Sequence, residues 1–328
     1  MCRSMSMRLA LALGLLVLLA AAATTRADPQ AWRGEWPGAD FSRHSVPYDE
    51  IISGGPPKDG IPAIDAPSFI PAAEATGLSP HEPVIAVRIA AEARAYPLRI
   101  LIWHEIVNDT LGGVPIAVTW CPLCNSAVVF DRRSGGRTLS FGTTGKLRNS
   151  DLVMYDRETE SWWQQFGGNC IVGTIAGAEL ALLPMRVESF ERFRARFPAG
   201  QVLLPPDDGR RYGRNPYTGY DGSAKPFLYR GTYAGPVPPL ARVVAVGGEA
   251  WTLDLVRARR RIEAGDLVIT WEPGQSSPLD AAEIADGRDI GNVVVQRRTS
   301  GGLEDAVYDV SFAFAFHAFH PDAPIHTQ

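Results

Sequence analysis

The sequence predicts an α+β protein that is rich in β-strands, has few short helices and is built from two related units. Three observations support this fold class. Glycine and proline are frequent, with 32 and 26 residues in a chain of 328, which favours short elements joined by turns. Short apolar runs recur along the chain, whereas one segment has clear helical periodicity. A degenerate internal repeat connects the two halves of the sequence.

Short apolar runs predict the strands. They cover residues 84–89, 116–120, 127–130, 139–141 and 152–155. The clearest helix extends from Ser189 to Phe197, because Phe190, Phe193 and Phe197 share one face at i, i+3 and i+7. Ser189 is suited to cap this helix at its N-terminus.

The internal repeat consists of short blocks that recur in the same order. The matched blocks are Val84–Val87 with Val243–Val246, Glu92–Ala93 with Glu249–Ala250, Leu98 with Leu255, Thr119–Pro122 with Thr270–Pro273, and Val128–Arg133 with Val293–Arg298. In this alignment Glu272 and Gln275 stand where the first unit has Cys121 and Cys124. A fold shared by both units therefore does not need the two cysteines, and chemistry explains them better than scaffolding does.

The predicted organisation follows from the repeat and from the Pro- and Gly-rich segments around it. Residues 1–27 are a signal peptide, and residues 28–80 are a loop-rich N-terminal extension. The first β-rich unit covers residues 81–204 and includes the Cys-Pro-Leu-Cys motif. A loop-rich connection spans residues 205–240, and the second, degenerate unit spans residues 241–328.

The N-terminal segment predicts export to a secreted or periplasmic location. Arg3 and Arg8 form a positive region, Leu9–Ala23 is apolar, and Thr25–Ala27 offers small residues for cleavage. An uncleaved N-terminal anchor is the alternative. After cleavage we expect no stable membrane span, because no other apolar run is long enough. The formal charge of −4 argues against nucleic acid as the main partner, since phosphate binding needs a basic surface.

The sharpest local signal is the motif Cys121-Pro-Leu-Cys124. Two thiols at this spacing can chelate a soft metal ion or close a reducible disulfide. A simple disulfide staple is the structural alternative. Trp120 before the motif is also found in thioredoxin-like sites, which place the first thiol at a helix N-terminus. Here strand and turn residues follow Cys124, so a thioredoxin fold is disfavoured.

His104 and nearby acids extend this motif into a metal-site hypothesis. His104 would be the third ligand of copper or zinc beside the two thiolates, and the alternative is a histidine held within the core. Glu105 and Asp151 would act around the metal or in proton transfer. Cys170 or Met154 would complete the site, although both residue types are also common in cores.

A second group of polar residues suggests a pocket for a small polar ligand. Its members are Arg148, Asn149, Asp156, Trp163 and Gln165, which combine charges, amides and an indole. His317 and His320 lie three residues apart in a Phe-rich segment. They are either a metal pair on one side of a helix or the polar edge of a docking segment.

Several motifs together resemble one known family. They are residues 53–62 (SGGPPKDGIP), 96–109 (YPLRILIWHEIVND), 119–126 (TWCPLCNS), 148–151 (RNSD), 156–165 (DRETESWWQQ) and 212–221 (YGRNPYTGYD). These segments are similar to the DUF3179 family, a domain of unknown function, so the resemblance implies motifs but no reaction. Its usual pattern includes His104, Glu105, Cys121, Cys124, Asn149 and Asp151. The second unit departs from it, since the segment after Arg298 is shortened and His317 is not expected there.

The sequence thus supports three functions for an exported protein. The leading hypothesis is a soft-metal site for redox chemistry or metal handling. The first alternative is a metal-free thiol–disulfide oxidoreductase that uses Cys121 and Cys124. The second is a module that binds a small polar ligand, with the cysteines as a structural disulfide. The sequence does not decide whether the protein is an enzyme.

Overall fold

The computed structural model describes residues 29–328, and its helices are all short. The α-helices are α1 (Pro29–Trp32), α2 (Leu98–His104), α3 (Phe190–Arg196), α4 (Leu253–Arg259) and α5 (Ala313–Phe319). Single 3-10 turns lie at Tyr48–Glu50, Ala72–Glu74, Tyr220–Gly222 and Ile284–Asp286. Across residues 29–328, no helix has the length and apolar character that crossing a membrane requires. The predicted signal peptide, residues 1–27, lies outside the described residues.

Strands dominate the described chain and confirm the predicted β-rich α+β class. The first eleven are β1 (Ile51–Ser53), β2 (Phe69–Pro71), β3 (Pro83–Ile89), β4 (Glu92–Pro97), β5 (Ile106–Leu111), β6 (Val114–Cys121), β7 (Ser126–Asp131), β8 (Arg133–Ser134), β9 (Arg137–Thr138), β10 (Phe141–Arg148) and β11 (Asp151–Asp156). The others are β12 (Trp162–Gln164), β13 (Cys170–Val172), β14 (Arg186–Ser189), β15 (Gln201–Leu203), β16 (Arg242–Val246), β17 (Glu249–Thr252), β18 (Arg261–Ala264), β19 (Leu267–Glu272), β20 (Asn292–Thr299), β21 (Gly302–Asp305), β22 (Asp309–Phe312) and β23 (Ile325–His326).

Most strand predictions are confirmed, and the predicted helix is present. Residues 84–89, 116–120, 127–130 and 152–155 lie in β3, β6, β7 and β11. The run 139–141 overlaps a strand only at Phe141, where β10 begins. Helix α3 buries Phe190 and Phe193 as expected and ends before Phe197. Ser189 is its N-cap residue, but its side chain makes no capping hydrogen bond.

Two sheets share one topology and carry the internal repeat. In the first unit the strand order is β14-β3-β4-β15-β2, and in the second it is β22-β16-β17-β23. In this spatial order, adjacent strands among the first three of each sheet run antiparallel, and the fourth strand runs parallel to the third. A helix follows the third strand in both units (α2 and α4), and another helix precedes the fourth (α3 and α5). The two units are therefore structurally related in these four strands and two helices.

Two equivalent residues make the relationship specific. Glu105 and Arg260 end α2 and α4 with positive φ angles of 58° and 61°. Their carbonyl oxygens accept from the N–H groups of Trp120 and Trp271, at 2.9 Å and 3.0 Å. Trp120 and Trp271 thus occupy the same place, and Cys121 corresponds to Glu272, as the sequence repeat predicted.

The repeat alignment needs a shift in two other blocks. Helices α2 and α4 begin at Leu98 and Leu253, so Leu98 corresponds to Leu253 and not to Leu255. Cys121 pairs with Ser126, and Glu272 pairs with Asn292, which aligns Val128 with Val294 rather than Val293. The hairpins differ in length between the units, and short Val-rich blocks do not fix the register.

The first unit contains an insertion that the second unit lacks. Between β7 and β14 the chain forms β8 to β13, whereas only β21 separates β20 from β22. Most of the insertion forms a sheet of order β1-β10-β11-β12-β13, to which the N-terminal segment contributes β1. The main hydrophobic core extends from Ile52 to Ala315 and so draws on both units. The segment boundaries at 81, 205 and 241 stay predictions.

Candidate metal centre

The cysteine motif forms the turn between β6 and β7. Cys121 is the last residue of β6, and Asn125 has a φ of 53°, which lets the chain reverse. Strand β22 of the second unit fixes this turn. The N–H group of Phe312 donates to the carbonyl of Cys124 at 2.9 Å, and the amide of Asn125 donates to the carbonyl of Val310 at 2.8 Å. The motif therefore does not start a helix, in contrast to a thioredoxin-like site.

A two-residue hairpin from the inserted sheet lies against this turn. Asn149 and Ser150 connect β10 to β11 with φ angles of 54° and 65°, as a type I′ turn requires. The thiol of Cys121 faces the carbonyl oxygen of Ser150 at 3.7 Å, and that of Cys124 faces the carbonyl of Asn149 at 4.0 Å. Asp151, the first residue of β11, follows directly and reaches the same point.

Three ligand atoms meet at this junction. The sulfurs of Cys121 and Cys124 and a carboxylate oxygen of Asp151 all lie within 4.8 Å of one another. The three residues are at most 1% exposed, and the two thiols are free. Oδ1 of Asp151 accepts from the Gln164 amide at 2.6 Å and from the Phe166 N–H at 3.0 Å. Oδ2 is buried and has no hydrogen-bond partner among the described residues.

The cluster is electrostatically suited to a cation. Burial raises the pKa of the Cys121 thiol and, more strongly, that of Cys124, and the nearby acids raise both further. Burial raises the pKa of Asp151 to about 7 and that of Glu105 to about 8, the latter helped by the charge of Asp151. Every charged group that acts on the two thiols is itself an acid. A bound cation would remove this repulsion and favour the ionised ligands.

Glu105 adjoins the cluster but is held through its backbone. Its N–H donates to the carbonyl of Leu101 at 2.7 Å, which closes α2. Its side chain is 8% exposed, and its charge acts on Cys121. The role of Glu105 around a metal or in proton transfer stays a prediction.

His104 is not a member of the cluster, which revises the expected ligand set. Its Nδ1 lies 2.7 Å from the carbonyl oxygen of Pro62, which can only accept, so Nδ1 carries the proton. Nε2 lies 2.7 Å from the hydroxyl of Tyr212, which also lies 3.1 Å from both carboxylate oxygens of Asp208. Both nitrogens are engaged, and burial lowers the pKa of the ring. The third atom of the cluster beside the sulfurs is a carboxylate oxygen of Asp151.

The five residues expected to line a ligand pocket do not share one cavity. Asp156, Trp163 and Gln165 are completely buried. The indole N–H of Trp163 donates to Asp156 at 2.8 Å, and the Gln165 amide donates to the hydroxyl of Thr119 at 2.9 Å. The first of these bonds lies within the inserted sheet, and the second connects this sheet to β6. Of the others, Arg148 pairs with Glu50 at the surface, and Asn149 forms the hairpin tip.

The cluster includes none of the other Cys and His candidates, Cys170, His317 and His320. Cys170 is buried beside the carbonyl of Val172, and burial raises its pKa to about 12. Met154 is part of the main core. His317 packs edge-on against Tyr233, whereas His320 packs on Phe316 and Phe166. The two imidazoles thus have different neighbours, and a metal pair formed by them stays a prediction.

Sequence reasoning missed two contributions to the site. Asp309 begins β22, and its charge acts on both Cys124 and Asp151. A single Asp among Val and Ser residues belongs to no recognisable motif, so the sequence did not identify Asp309 as part of the site.

The segment 205–240, which the sequence predicted to be a loop-rich connection, covers the cluster. The hydroxyl of Tyr220 donates to the carbonyl of Leu123 at 3.0 Å. Burial raises the pKa of Tyr217, and the charges of Glu105 and Cys121 raise it further. The signal for this cover was the Tyr- and Gly-rich motif at 212–221.

Comparison with known proteins adds a family. No curated protein and no solved structure matches the chain. A family model described as a protein of unknown function, DUF3179, matches residues 58–323, which include the first unit, most of the second and every residue of the cluster. The chain therefore belongs to the DUF3179 family.

Proposed function

We propose that this protein is exported and binds a copper or zinc ion through Cys121, Cys124 and Asp151. One observation carries the proposal: two sulfurs and a carboxylate oxygen from separate sheets lie within 4.8 Å of one another in a buried site. Thiolates are preferred ligands of both metals. The nearby acids disfavour negative charge on the two sulfurs, and a bound cation would compensate for this when the thiols lose their protons.

The carboxylate favours zinc over copper(I). Zn²⁺ accepts sulfur and oxygen ligands together, whereas copper(I) prefers sulfur alone. Asp151 is held as ligating carboxylates usually are, since the Gln164 amide and the Phe166 N–H fix one oxygen and leave the other free. Three protein ligands would leave a fourth tetrahedral position for water or a substrate. Glu105, whose charge acts on Cys121, would exchange protons with a ligand at that position.

The internal repeat supports a chemical role for the cysteines. Glu272 takes the place of Cys121 in the second unit, which folds with the same strand order. The turn between β6 and β7 is short, whereas the corresponding connection after β19 is long and contains no cysteine. The second unit thus adopts the same strand order without these thiols. We infer that the thiols of the first unit serve to bind a ligand.

A thiol–disulfide oxidoreductase is the second candidate, and the proximity of the two sulfurs favours it. Disulfide chemistry needs a thiolate that attacks, and its rate depends on the thiolate fraction. Burial and neighbouring acids raise the pKa of both thiols, so the metal-free site holds them protonated at neutral pH. This argues for a ligand role over a nucleophilic one.

Elemental analysis of the purified protein tests the proposal. We expect about one equivalent of zinc or copper per chain after purification without chelator, and its loss in Cys121→Ser and Cys124→Ser. Cys170→Ser is the matched control, because Cys170 is an equally buried thiol outside the cluster. Wild-type protein that binds neither metal, when both are offered to the reduced form, would refute the metal site. A mixed disulfide trapped by Cys124→Ser would favour the oxidoreductase instead.

A further inference from the structure

The buried cluster needs a path from solvent, and the structure contains a cavity suited to this role. It has a volume of about 180 Å³ and lies between the first unit and β16, β22 and α5 of the second. Its lining includes Val128, Phe166, Ala245, Asp309 and His320. Since the three ligands are at most 1% exposed, an ion cannot reach them directly from the surface.

Asp309 connects this cavity with the cluster. Its strand is fixed against the cysteine turn by the hydrogen bonds from Phe312 to Cys124 and from Asn125 to Val310. Phe166, on the same cavity wall, donates its N–H to Asp151. Phe166 therefore contacts Asp151 directly, and Asp309 lies on a strand that is hydrogen-bonded to the cysteine turn.

The carboxylate of Asp309 is the acidic group of the cavity wall, and its oxygens are buried. The hydroxyls of Ser126 and Ser311, which are completely buried, lie beside this carboxylate and act on it as hydrogen-bonding neighbours. A buried carboxylate with two hydroxyl groups beside it offers oxygen ligands of the kind that a hydrated cation accepts.

We propose that this cavity is the access route of the metal ion and that Asp309 is a transfer ligand at its inner wall. The identity of the ion rests on the proposed function, whereas the route itself does not. An incoming hydrated cation first exchanges water for the oxygens of Asp309, with the Ser126 and Ser311 hydroxyls beside them. It then passes to Cys121, Cys124 and Asp151, and the two thiols release their protons to water.

Two kinds of variant test the proposal. Asp309→Asn removes the charge of the transfer ligand, and Asp254→Asn, at an exposed helix position, is its control. Ala245→Leu narrows the cavity from inside. Leu182→Trp narrows it at the rim, where Leu182 is 40% exposed and a larger side chain is tolerated. Thermal melting checks that each variant is folded.

The first measurement is the rate of zinc uptake by the reduced, metal-free protein. We expect Asp309→Asn to load about tenfold more slowly with an unchanged final occupancy, because a charged guide accelerates association. The second measurement is the rate at which neutral iodoacetamide labels the native thiols of Cys121 and Cys124. Both narrowing variants should slow labelling and uptake, whereas Asp309→Asn should slow uptake alone.

The outcomes separate this inference from the metal proposal. Unchanged uptake and labelling in all three variants would overturn the route while the metal site stands. Wild-type thiols that react only after unfolding would also overturn it. If the wild type binds no zinc, the metal proposal and the transfer role of Asp309 fall together, and the labelling rates of Ala245→Leu and Leu182→Trp still decide the route.

Discussion

The sulfur of Cys121 and the carboxylate of Asp151 lie within 4.8 Å of each other, although they belong to different sheets. Cys121 ends β6 of the repeated unit, and Asp151 begins β11 of the inserted sheet. The candidate site is thus formed where the insertion meets the repeat. The second unit lacks both the thiols and the insertion, so it carries no counterpart of this site among its described residues.

Asp151→Asn should weaken metal binding by about 10- to 100-fold without unfolding the protein, since one anionic ligand atom is lost. Competition with a chromophoric chelator measures the affinity. Asp156→Asn is the matched control, because Asp156 is equally buried in the same sheet but bonds to Trp163 and Thr159. Equal affinity in wild type and Asp151→Asn would exclude the carboxylate from the ligand set.

The metal-free protein should lose stability as the pH rises from about 4 to about 8. The folded pKa values of Asp151 (about 7) and Glu105 (about 8) lie above the ordinary values near 4. Over this interval the unfolded chain releases these protons first, so stability falls by up to about 1.4 kcal/mol per pH unit for each retained proton. Urea unfolding at pH 5 and 7.5 measures the difference.

Variants and metal check the assignment of this pH dependence. Asp151→Asn and Glu105→Gln should each flatten the decline, whereas the exposed Glu304→Gln should not. With metal bound, stability should instead rise with pH, because the ligands bind as anions and a higher pH favours their ionised forms. Stability that rises with pH in the metal-free wild type would show that these carboxyl groups are ionised in the folded state.

His104→Ala should lower stability but leave metal occupancy unchanged. The substitution leaves the carbonyl of Pro62 without its partner, at a cost of about 1–3 kcal/mol, whereas the Tyr212 hydroxyl keeps its contacts with Asp208. Tyr212→Phe keeps the bond to Pro62 and should cost less. Denaturant unfolding and elemental analysis give the two readouts. Loss of metal from a folded His104→Ala protein would restore His104 as a ligand.

Trp163→Phe should destabilise the protein more than Trp162→Phe, by about 1–2 kcal/mol. The two indoles are adjacent and completely buried, so they lose the same volume. The N–H of Trp163 donates to Asp156, whereas that of Trp162 has no partner in the described structure. Equal losses of stability would show that this hydrogen bond contributes nothing. Neither variant should change metal occupancy.

Several features could be predicted because their signals are local. Apolar runs bounded by turn residues located β3, β6, β7 and β11, and the spacing of Phe190 and Phe193 located α3. The Thr-Trp motif identified the equivalent positions Cys121 and Glu272, since a bulky aromatic residue marks register better than a run of valines does. Leu98 and Val128 were misaligned because the hairpins differ in length, which local similarity does not reveal.

The amino-acid order by itself determined the β-rich class, the two related units and the cysteine pair as the point of chemical interest, because alternation, turn residues and motif spacing are local properties. The tertiary structure decided which partners surround that pair. A type I′ hairpin brings Asp151 to the sulfurs, β22 adds Asp309, and the ring of His104 is bound to Pro62 and Tyr212. Such contacts depend on strand register and on sheet packing between segments that are distant along the chain. They therefore cannot be predicted from the spacing of residues in the sequence.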